Sequence, residues 1–431
     1  MSNEQLIANI EQISGKDFSS FLIHTLGCKV NQLESEAIAE TFLQLGFQVS
    51  ATDLPAVIVV NTCTVTSKAD QKARRVIRKA LRDYPDSCVI VTGCYAKLNK
   101  DDLLKLETDG KKRLFVIDKE NIINFEFNPQ GFSSRTRSFL KIQDGCDKHC
   151  TYCKIRLARG PSVSLDAVQV LERLRILEKT NAEAVLTGVN ICQYRNDKLP
   201  INNFAELVDY LLKGTSRIAI RLSSLAPDSV DENLAKTLSH KRIRPHFHLS
   251  IQSCSQKILE KMGRNYKTQT IEKACELLRS AKQDPFLACD IITGFPGETE
   301  AEFEQTYSLC KKLDFAWIHV FPYSKRPGTA AWSFSEPVHS NEIKSRVKLL
   351  TDLAFQGKEA YVRRWLGKEV DVLIEQDSLH CRGTTENYLK AAVKYNGEKT
   401  PEPGSVLRCR LVEENLMRQA TKDVDVIAQE V

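Results

Sequence analysis

No apolar run in the sequence is long enough to span a membrane, because the longest runs, such as residues 56–60, have only the length of a strand. Residues 1–20 carry acidic side chains and lack an apolar core, so we expect no secretory signal and a cytoplasmic location. A strong charge excess is lacking too, since 61 Lys and Arg face 55 Asp and Glu to give a net charge of +6. Such a mild excess is compatible with a nucleic-acid partner without requiring one.

Cysteine, in contrast, is abundant, with 14 residues in the chain. In a reducing compartment these cysteines are not expected to form a disulfide framework. They are then metal ligands, reactive thiols or small buried hydrophobes. Two groups of three follow recognisable patterns, and we interpret the other eight as core or surface thiols. Those eight are Cys88, Cys192, Cys254, Cys275, Cys289, Cys310, Cys381 and Cys409.

The first pattern is the run GCDKHCTYC, which contains Cys146, Cys150 and Cys153 directly after the strand-like stretch 138–142. A structural zinc site takes four ligands, and no fourth cysteine follows at short range. Three thiolates suit a 4Fe–4S cluster with one iron left open for chemistry. The spacing therefore indicates an enzyme, with a structural zinc site or chance spacing as the alternatives.

The second pattern spans residues 21–128, where three short apolar runs each end in a cysteine. Cys28, Cys63 and Cys94 follow the runs 21–26, 57–60 and 88–91, and helix-like stretches at 34–45 and 67–82 separate them. Continuous apolar runs of this length are typical of buried parallel strands, whose carboxyl ends meet at one edge of the sheet. We infer that these cysteines converge there, the alternative being three ordinary core thiols.

The rest of the chain divides into two further segments. Six strand-like runs alternate with amphipathic stretches and predict a full or partial parallel barrel; the runs are 139–143, 184–188, 217–222, 246–251, 288–293 and 317–321. A helical stretch at 340–366 follows. Period-two alternation then predicts a small all-β barrel from runs at 370–374, 388–393, 406–411 and 424–428. The predicted fold class is α/β, with domains at 1–130, 131–365 and 366–431.

These motifs resemble a known family. GCDKHCTYC is similar to the radical S-adenosylmethionine motif, and LGCKVNQLESE, NTCTVTSKAD and VTGCYAK resemble the N-terminal cluster domain of the methylthiotransferase family. Further matches in the same order are LTGVN, HLSIQS, KMGRNY, DIITGFPGET and FPYSKRPGT, and the final module resembles a TRAM domain, an RNA-binding β-barrel. Within the family, GCKVNQ and LKIQDGC look most like the branch that acts on N6-threonylcarbamoyladenosine at position 37 of tRNA.

The resemblance implies two 4Fe–4S clusters, with metal ligands Cys146, Cys150 and Cys153 for one and Cys28, Cys63 and Cys94 for the other. The first would bind S-adenosylmethionine and generate the radical that removes hydrogen from carbon 2 of the adenine. The second would hold the sulfur to be transferred, and a second S-adenosylmethionine would methylate it. The implied partners are the anticodon loop of tRNA, an electron donor such as a flavodoxin or ferredoxin, and an unknown sulfur donor.

The resemblance also implies contacts to S-adenosylmethionine. Tyr152 would pack on its adenine, Gln252 and Ser253 would touch its polar groups, and a glycine-rich turn would allow close backbone approach. That turn contains Gly294, Pro296 and Gly297. The chain departs from the family in three places: Cys254 stands where the family usually has glycine, residues 161–165 replace arginines that usually follow Gly160, and residues 154–156 are more basic than expected after the third cysteine.

Other readings remain open at this point. The same chemistry on isopentenyladenosine at position 37 of tRNA, or on an aspartate of a ribosomal protein, is one alternative, and a non-catalytic iron–sulfur RNA-binding protein is another. The stretch 67–82 places Lys72, Arg75, Lys79 and Arg82 near one helix face, which predicts either contacts to tRNA phosphates or a solvated basic face. Tyr388 belongs either to an RNA-binding face of the last module or to its packing.

Overall fold

The computed structural model describes residues 20–50, 54–123, 137–375, 381–397, 399–414 and 424–431. The chain divides into two compact units. The first comprises residues 1–130, 144–165 and 324–332, and the second comprises residues 131–143, 166–323 and 333–431. The predicted absence of a secretory signal and the predicted boundary between residues 130 and 131 concern segments that lie outside the described residues.

Strands and helices alternate along most of the chain. The strands are β1 (Ser20–Thr25), β2 (Gln48–Val49), β3 (Val57–Thr62), β4 (Cys88–Gly93), β5 (Leu114–Val116), β6 (Ser138–Lys141), β7 (Gln143–Asp144), β8 (Val163–Ser164), β9 (Glu183–Thr187), β10 (Ala219–Leu222), β11 (His246–Gln252), β12 (Phe286–Thr293), β13 (Trp317–Pro322), β14 (Glu369–Glu375), β15 (Arg382–Thr385), β16 (Lys390–Lys394), β17 (Val406–Glu414) and β18 (Val426–Glu430). The α-helices are α1 (Lys29–Gln44), α2 (Ser67–Asp83), α3 (Cys94–Leu98), α4 (Lys100–Leu104), α5 (Ile155–Arg159), α6 (Ala167–Thr180), α7 (Phe204–Gly214), α8 (Glu232–Leu238), α9 (Gln256–Lys261), α10 (Thr268–Ala281), α11 (Glu300–Lys312) and α12 (Ser340–Trp365).

A parallel sheet organises the first unit. Its five strands pair in the order β2-β1-β3-β4-β5. Every residue of β3 and β4 is buried, because helices cover both faces. Val59 and Ile90 face one apolar cluster with Ile38, while Val60 faces the other with Ile77. The predicted open parallel sheet is therefore confirmed.

Six parallel strands organise the second unit. They form two three-stranded sheets, β10-β9-β6 and β11-β12-β13. Isolated parallel bridges Ile220↔Ile243 and Leu225↔Leu249 join the two sheets at the β10 side. The strands thus follow one another in chain order, and of the two predicted forms the structure has the partial barrel.

The C-terminal strands close into a barrel in the order β14-β15-β16-β18-β17. Val370, Val372 and Ile374 alternate inward along β14, and they pack with Leu411 and Ala428 in one buried cluster. This confirms the predicted small β-barrel, to which β15 adds a strand that the periodicity did not reveal.

No helix in the described part of the chain is both long enough and apolar enough to cross a membrane. The longest, α12, has 26 residues but carries Lys, Arg, Glu and Asp throughout its length. Its inner side contacts β13 and the barrel, so its length serves packing within the second unit.

Candidate active site

The three upstream cysteines lie at the carboxyl edge of the first unit's sheet. Cys28 precedes α1 as its N-cap residue, Cys63 directly follows β3, and Cys94 is the first residue of α3 directly after β4. Cys63 and Cys94 are buried, whereas Cys28 is exposed. The structure therefore brings the three strand-end cysteines of the sequence pattern to one edge of one sheet.

Two glycines create the space that these cysteines need. Gly27 has a φ of +115°, and a Cβ placed on it would lie 2.6 Å from the Cβ of Cys63. Gly93 has a φ of +93°, and a Cβ there would lie 2.4 Å from the carbonyl oxygen of Thr62. Only glycine adopts these backbone angles without strain and also leaves room for the neighbouring strand end.

The three thiols interact electrostatically. The pKa of Cys63 is raised to about 11, mainly by burial and also by the neighbouring Cys28 and Cys94, while Arg159 acts to lower it. Burial likewise raises the pKa of Cys94, against which Arg159 acts. Because Cys28 raises the pKa of both other thiols and Cys94 raises that of Cys63, the three sulfurs share one local environment, and the positive charge of Arg159 stands beside it.

The donor set suits a cluster better than a single ion. In the described ranges, no group of three or more His, Cys, Asp and Glu side chains is gathered closely enough to hold one metal ion. A 4Fe–4S cluster bonds its cysteines through different irons, so its ligands surround the cluster and need not meet at a point. Three thiols also fall short of the four ligands of structural zinc. Cysteine thiolates are the ligands that hold 4Fe–4S clusters, so the residue types present at this edge fit such a group.

Asn31 fastens the loops that carry these cysteines. Its Nδ2 donates to the carbonyl oxygens of Leu26 and Thr62, each at 2.9 Å, and its Oδ1 accepts from the thiol of Cys28 at 3.7 Å. Asn61 donates in turn to the backbone oxygen of Asn31 at 2.9 Å. Sequence reasoning assigned no role to Asn31, although it lies within the quoted run GCKVNQ.

The second triplet lies on a tightly folded loop of the same unit. Cys146, Cys150 and Cys153 are all half-buried, and the backbone N–H of Cys153 donates to the carbonyl oxygen of Cys150 at 3.1 Å. Gly145 has a φ of +68°, and a Cβ there would lie 1.8 Å from the carbonyl oxygen of Pro161. A residue with a side chain before Cys146 would therefore displace the loop.

Arg159, six residues after the last cysteine of this loop, is buried against α1. Its guanidinium donates five hydrogen bonds of 2.8–3.1 Å to Glu34, Asp144 and Asn31. Lys119 binds the same two carboxylates, at 2.8 Å and 3.0 Å. Two cations and two anions thus form a neutral buried cluster between the loops of the two triplets. Sequence reasoning assigned no function to Arg159; the only sequence signal is its position just after the triplet.

Arg326 holds a third segment of the chain in this unit. Its guanidinium, only 3% exposed, donates to the backbone and side-chain oxygens of Thr64 at 2.9 and 2.7 Å and to Asp70 at 2.7 Å. The N–H of Ala331 donates to the carbonyl oxygen of Thr151 at 2.8 Å. The segment 324–332 therefore contacts the residues after Cys63 and the loop of the second triplet.

Of the predicted cofactor contacts, Tyr152 lies half-buried on the second loop. Gln252 ends β11 with a φ of +76°, a conformation that strains a residue with a side chain by roughly 1–3 kcal/mol and concentrates at functional sites. The hydroxyl of Ser253 is buried, 3.3 Å from that of Thr306. Cys254, which stands where the family usually has glycine, is also buried, with its sulfur 3.9 Å from that of Cys310.

The predicted glycine turn follows β12. Gly294 and Gly297 both have a φ of +80°, and Pro296 between them is buried. A Cβ at Gly294 would lie 2.5 Å from the side chain of Ile343, and one at Gly297 would lie 2.2 Å from the ammonium of Lys261. Both glycines therefore permit the close approach of these side chains.

Two protein-family models match different parts of the chain. The model of Uncharacterized protein family UPF0004 matches residues 20–113, which include the first triplet. The model of the Radical SAM superfamily matches residues 140–310, which include the second. Members of that superfamily use a 4Fe–4S cluster and S-adenosylmethionine, so the chain is a radical S-adenosylmethionine enzyme.

Several curated proteins resemble the chain over most of its length. Threonylcarbamoyladenosine tRNA methylthiotransferase MtaB of Treponema pallidum is 38% identical, covering 91% of this chain and 98% of its own. Proteins of the same name from Thermotoga maritima and Bacillus subtilis are each 34% identical, covering 92% and 86% of this chain and 95% and 89% of their own. Identity at this level over nearly complete chains establishes a shared family.

A solved structure shares the fold. The radical S-adenosylmethionine methyltransferase TsrM from Kitasatospora setae superposes with a TM-score of 0.50 at 14% identity, covering 73% of this chain and 77% of its own. Sequence, both domain matches and fold agree, and the chain belongs to the radical S-adenosylmethionine methylthiotransferase family.

Proposed function

We propose that this protein is a tRNA methylthiotransferase that adds a methylthio group to carbon 2 of N6-threonylcarbamoyladenosine at position 37. The observation that carries the proposal is the similarity to proteins of that name over about nine-tenths of the chain. The two cysteine triplets supply the ligands that such chemistry needs.

The ligand assignment is part of the proposal. Cys146, Cys150 and Cys153 would hold the cluster that binds S-adenosylmethionine, and Cys28, Cys63 and Cys94 would hold a second 4Fe–4S cluster. When bound, these groups supply radical chemistry at carbon 2 of the adenine and the sulfur that replaces its hydrogen. Burial of Cys63 and Cys94 supports the second site, because a reactive sulfur has to be kept from solvent.

The remaining contacts are assigned residue by residue. Tyr152 would pack on the adenine of S-adenosylmethionine. Gln252 and Ser253 would orient its polar groups, and the turn Gly294, Pro296 and Gly297 would admit it close to the backbone. An electron donor such as a flavodoxin or ferredoxin would reduce the first cluster, and the tRNA would present its anticodon loop.

Iron content tests the second cluster. Anaerobically reconstituted protein should contain about eight iron atoms per chain, four for each cluster. Cys63→Ala should lose about four of them, whereas the matched control Cys88→Ala, another buried cysteine of the same sheet, should lose none. Four iron atoms in the unaltered protein, with none lost in Cys63→Ala, would remove the second cluster from the proposal.

Cleavage of S-adenosylmethionine tests the first cluster separately. Dithionite-reduced protein should release 5′-deoxyadenosine, and Cys150→Ala should abolish this release while it keeps the iron of the other site. If the unaltered protein holds iron and releases no deoxyadenosine, the chain is a non-catalytic iron–sulfur protein.

Nucleoside analysis tests the substrate. In a deletion strain, mass spectrometry of digested tRNA should show loss of the methylthio form of threonylcarbamoyladenosine, restored by the intact gene and not by Cys150→Ala. Loss of methylthio-isopentenyladenosine instead would assign the sister substrate. Unchanged tRNA together with a lost methylthio-aspartate in a ribosomal protein would assign the third branch.

A further inference from the structure

The helix α2 carries far more charge than its packing requires. Seven of its 17 residues are Lys or Arg and only two are Asp. Its inner face is apolar, with Ala73, Ile77, Ala80 and Leu81 buried under the sheet. The cations therefore occupy the outer face of a helix whose fold is already secured by the inner one.

The outer cations form a straight row. They lie at alternating spacings of four and three residues, which places side chains along one stripe of a helix; the row is Lys68, Lys72, Arg75, Lys79 and Arg82, with Arg78 beside it. All six are exposed. From the first to the last the row is about 21 Å long, at 1.5 Å per residue.

Most of these charges are not neutralised. Asp83 pairs with Arg82 at 2.7 Å, and Asp70 is turned away to Arg326. Within the described ranges, no carboxylate forms an ion pair with the remaining five cations, Lys68, Lys72, Arg75, Arg78 and Lys79, although Lys79 also acts electrostatically on Asp83. Like charges at these spacings repel one another, so the row is a concentrated positive surface whose one counter-charge, Asp83, lies at its C-terminal end.

The row begins beside the first cysteine triplet. The helix starts at Ser67, four residues after Cys63, and its N-cap Thr66 accepts from the N–H of Ala69 at 3.1 Å. A helix that follows a strand in a parallel sheet runs back along it. The row therefore leads from the cysteine edge of the sheet toward the opposite edge.

We propose that this row, with Arg78, binds the phosphate backbone of the substrate tRNA. The inference rests on the proposed function, because only an RNA substrate brings a line of phosphates to this edge while a base reaches the cysteines. Evenly spaced lysines and arginines neutralise successive phosphates and release their counterions, which yields affinity without sequence preference. The row would hold the stem next to the loop that carries the modified base.

The test compares two triple variants of the reconstituted holoenzyme. Lys72→Gln/Arg75→Gln/Lys79→Gln removes three charges from the row, and Lys236→Gln/Lys344→Gln/Lys348→Gln removes three exposed charges from helices α8 and α12 of the second unit. Glutamine is close to lysine and arginine in helix propensity, so both variants should fold. Iron content and 5′-deoxyadenosine release in the absence of tRNA should match the unaltered protein in both.

Binding of purified tRNA, measured by fluorescence anisotropy across salt concentrations, is the readout. The row variant should bind on the order of tenfold or more weakly at about 0.1 M salt, and the slope of log K against log salt should fall by about 2 to 3. The control variant should change neither quantity to this extent. Equal losses in both variants would mean general charge attraction and would overturn the inference.

Two other results separate the inference from the proposed function. If the unaltered protein modifies tRNA and the row variant binds it with unchanged affinity and slope, the inference fails and the function stands. If the row variant then proves deficient only in reduction by a flavodoxin, the row is the docking surface of an acidic protein, which also overturns the inference. If the unaltered protein binds no tRNA, the proposed function itself fails.

Discussion

Replacing Arg159 by methionine should destabilise the first unit more than any exposed substitution. The guanidinium is 2% exposed and makes five hydrogen bonds to Glu34, Asp144 and Asn31. Its removal leaves two carboxylates with only Lys119 to compensate them, so the buried cluster changes from neutral to a net charge of −1. Breaking a buried ion pair from one side costs about 3–5 kcal/mol.

A second substitution distinguishes charge from packing. Glu34→Gln alone leaves Arg159 and Lys119 facing only Asp144, a net charge of +1, and should destabilise by a similar amount. The double variant keeps the neutral pair of Lys119 and Asp144. The double variant should therefore lose clearly less free energy of unfolding than the two single variants lose together, with a coupling energy of roughly 1–3 kcal/mol.

Hydrogen exchange measures these losses where they occur. The slowest amides of β3 and β4 should exchange by unfolding of the whole unit, and a loss of 3–5 kcal/mol would speed them by about a hundredfold to several thousandfold, at 1.4 kcal/mol per tenfold. Amides of the C-terminal barrel provide the internal control. Strictly additive losses, or unchanged exchange in Arg159→Met, would refute the view that this buried charge cluster stabilises the unit.

Two further predictions concern single positions. Gly93→Ala should destabilise the first unit and lower its iron content, because the added Cβ would meet the carbonyl oxygen of Thr62. Gly46→Ala is the matched control, since Gly46 has a φ of +89° and no atom within 4 Å of the added Cβ. In thermal unfolding this control should show only the backbone strain of roughly 1–3 kcal/mol. Burial alone would raise the pKa of Glu183, but Arg221 and Arg244 lower it from 4.5 to about 2. The ionised carboxylate therefore stabilises the fold above about pH 4.5. The difference in unfolding free energy between the unaltered protein and Glu183→Gln, measured by urea unfolding, should shrink as the pH falls toward 2. A difference independent of pH would contradict stabilisation by the ionised carboxylate.

The strands were predictable because their signal is local. Continuous apolar runs marked β3 and β4, and period-two alternation marked β14. The strands β2 and β5 have two and three residues, too few for any period to emerge, and β15, with the sequence RGTT, lacks the apolar alternation that marked β14. For Tyr388 the sequence left RNA binding and packing open. Its ring stacks on that of His246, with 3.8 Å between the ring centroids, and its φ is +72°. This contact supports packing, and it could not be predicted locally because the two residues are far apart in sequence.

The candidate site divides in the same way. Spacing and strand ends indicated both cysteine triplets as candidate ligands, although for Cys28, Cys63 and Cys94 three ordinary core thiols remained the alternative until the family resemblance was added. The residues that hold those loops in place could not be predicted from the sequence, because their hydrogen-bond partners are distant along the chain. Arg159 and Glu34 are 125 residues apart, and Arg326 and Thr64 are 262 apart. A single arginine therefore gives no recognisable sequence pattern, and its acceptors become known only from the folded structure.

These distant contacts explain how one unit comes to contain both triplets. Three separate pieces of chain, 1–130, 144–165 and 324–332, make it up, and no single covalent stretch sets the position of one cysteine loop relative to the other. Arg159 ties the second piece to the first, and Arg326 ties the third to the residues after Cys63. Each planar guanidinium holds several acceptors in fixed directions. If the protein binds the two clusters that we propose, and if these must keep one separation for sulfur to reach the activated carbon, Arg159 and Arg326 are among the side chains that fix that separation.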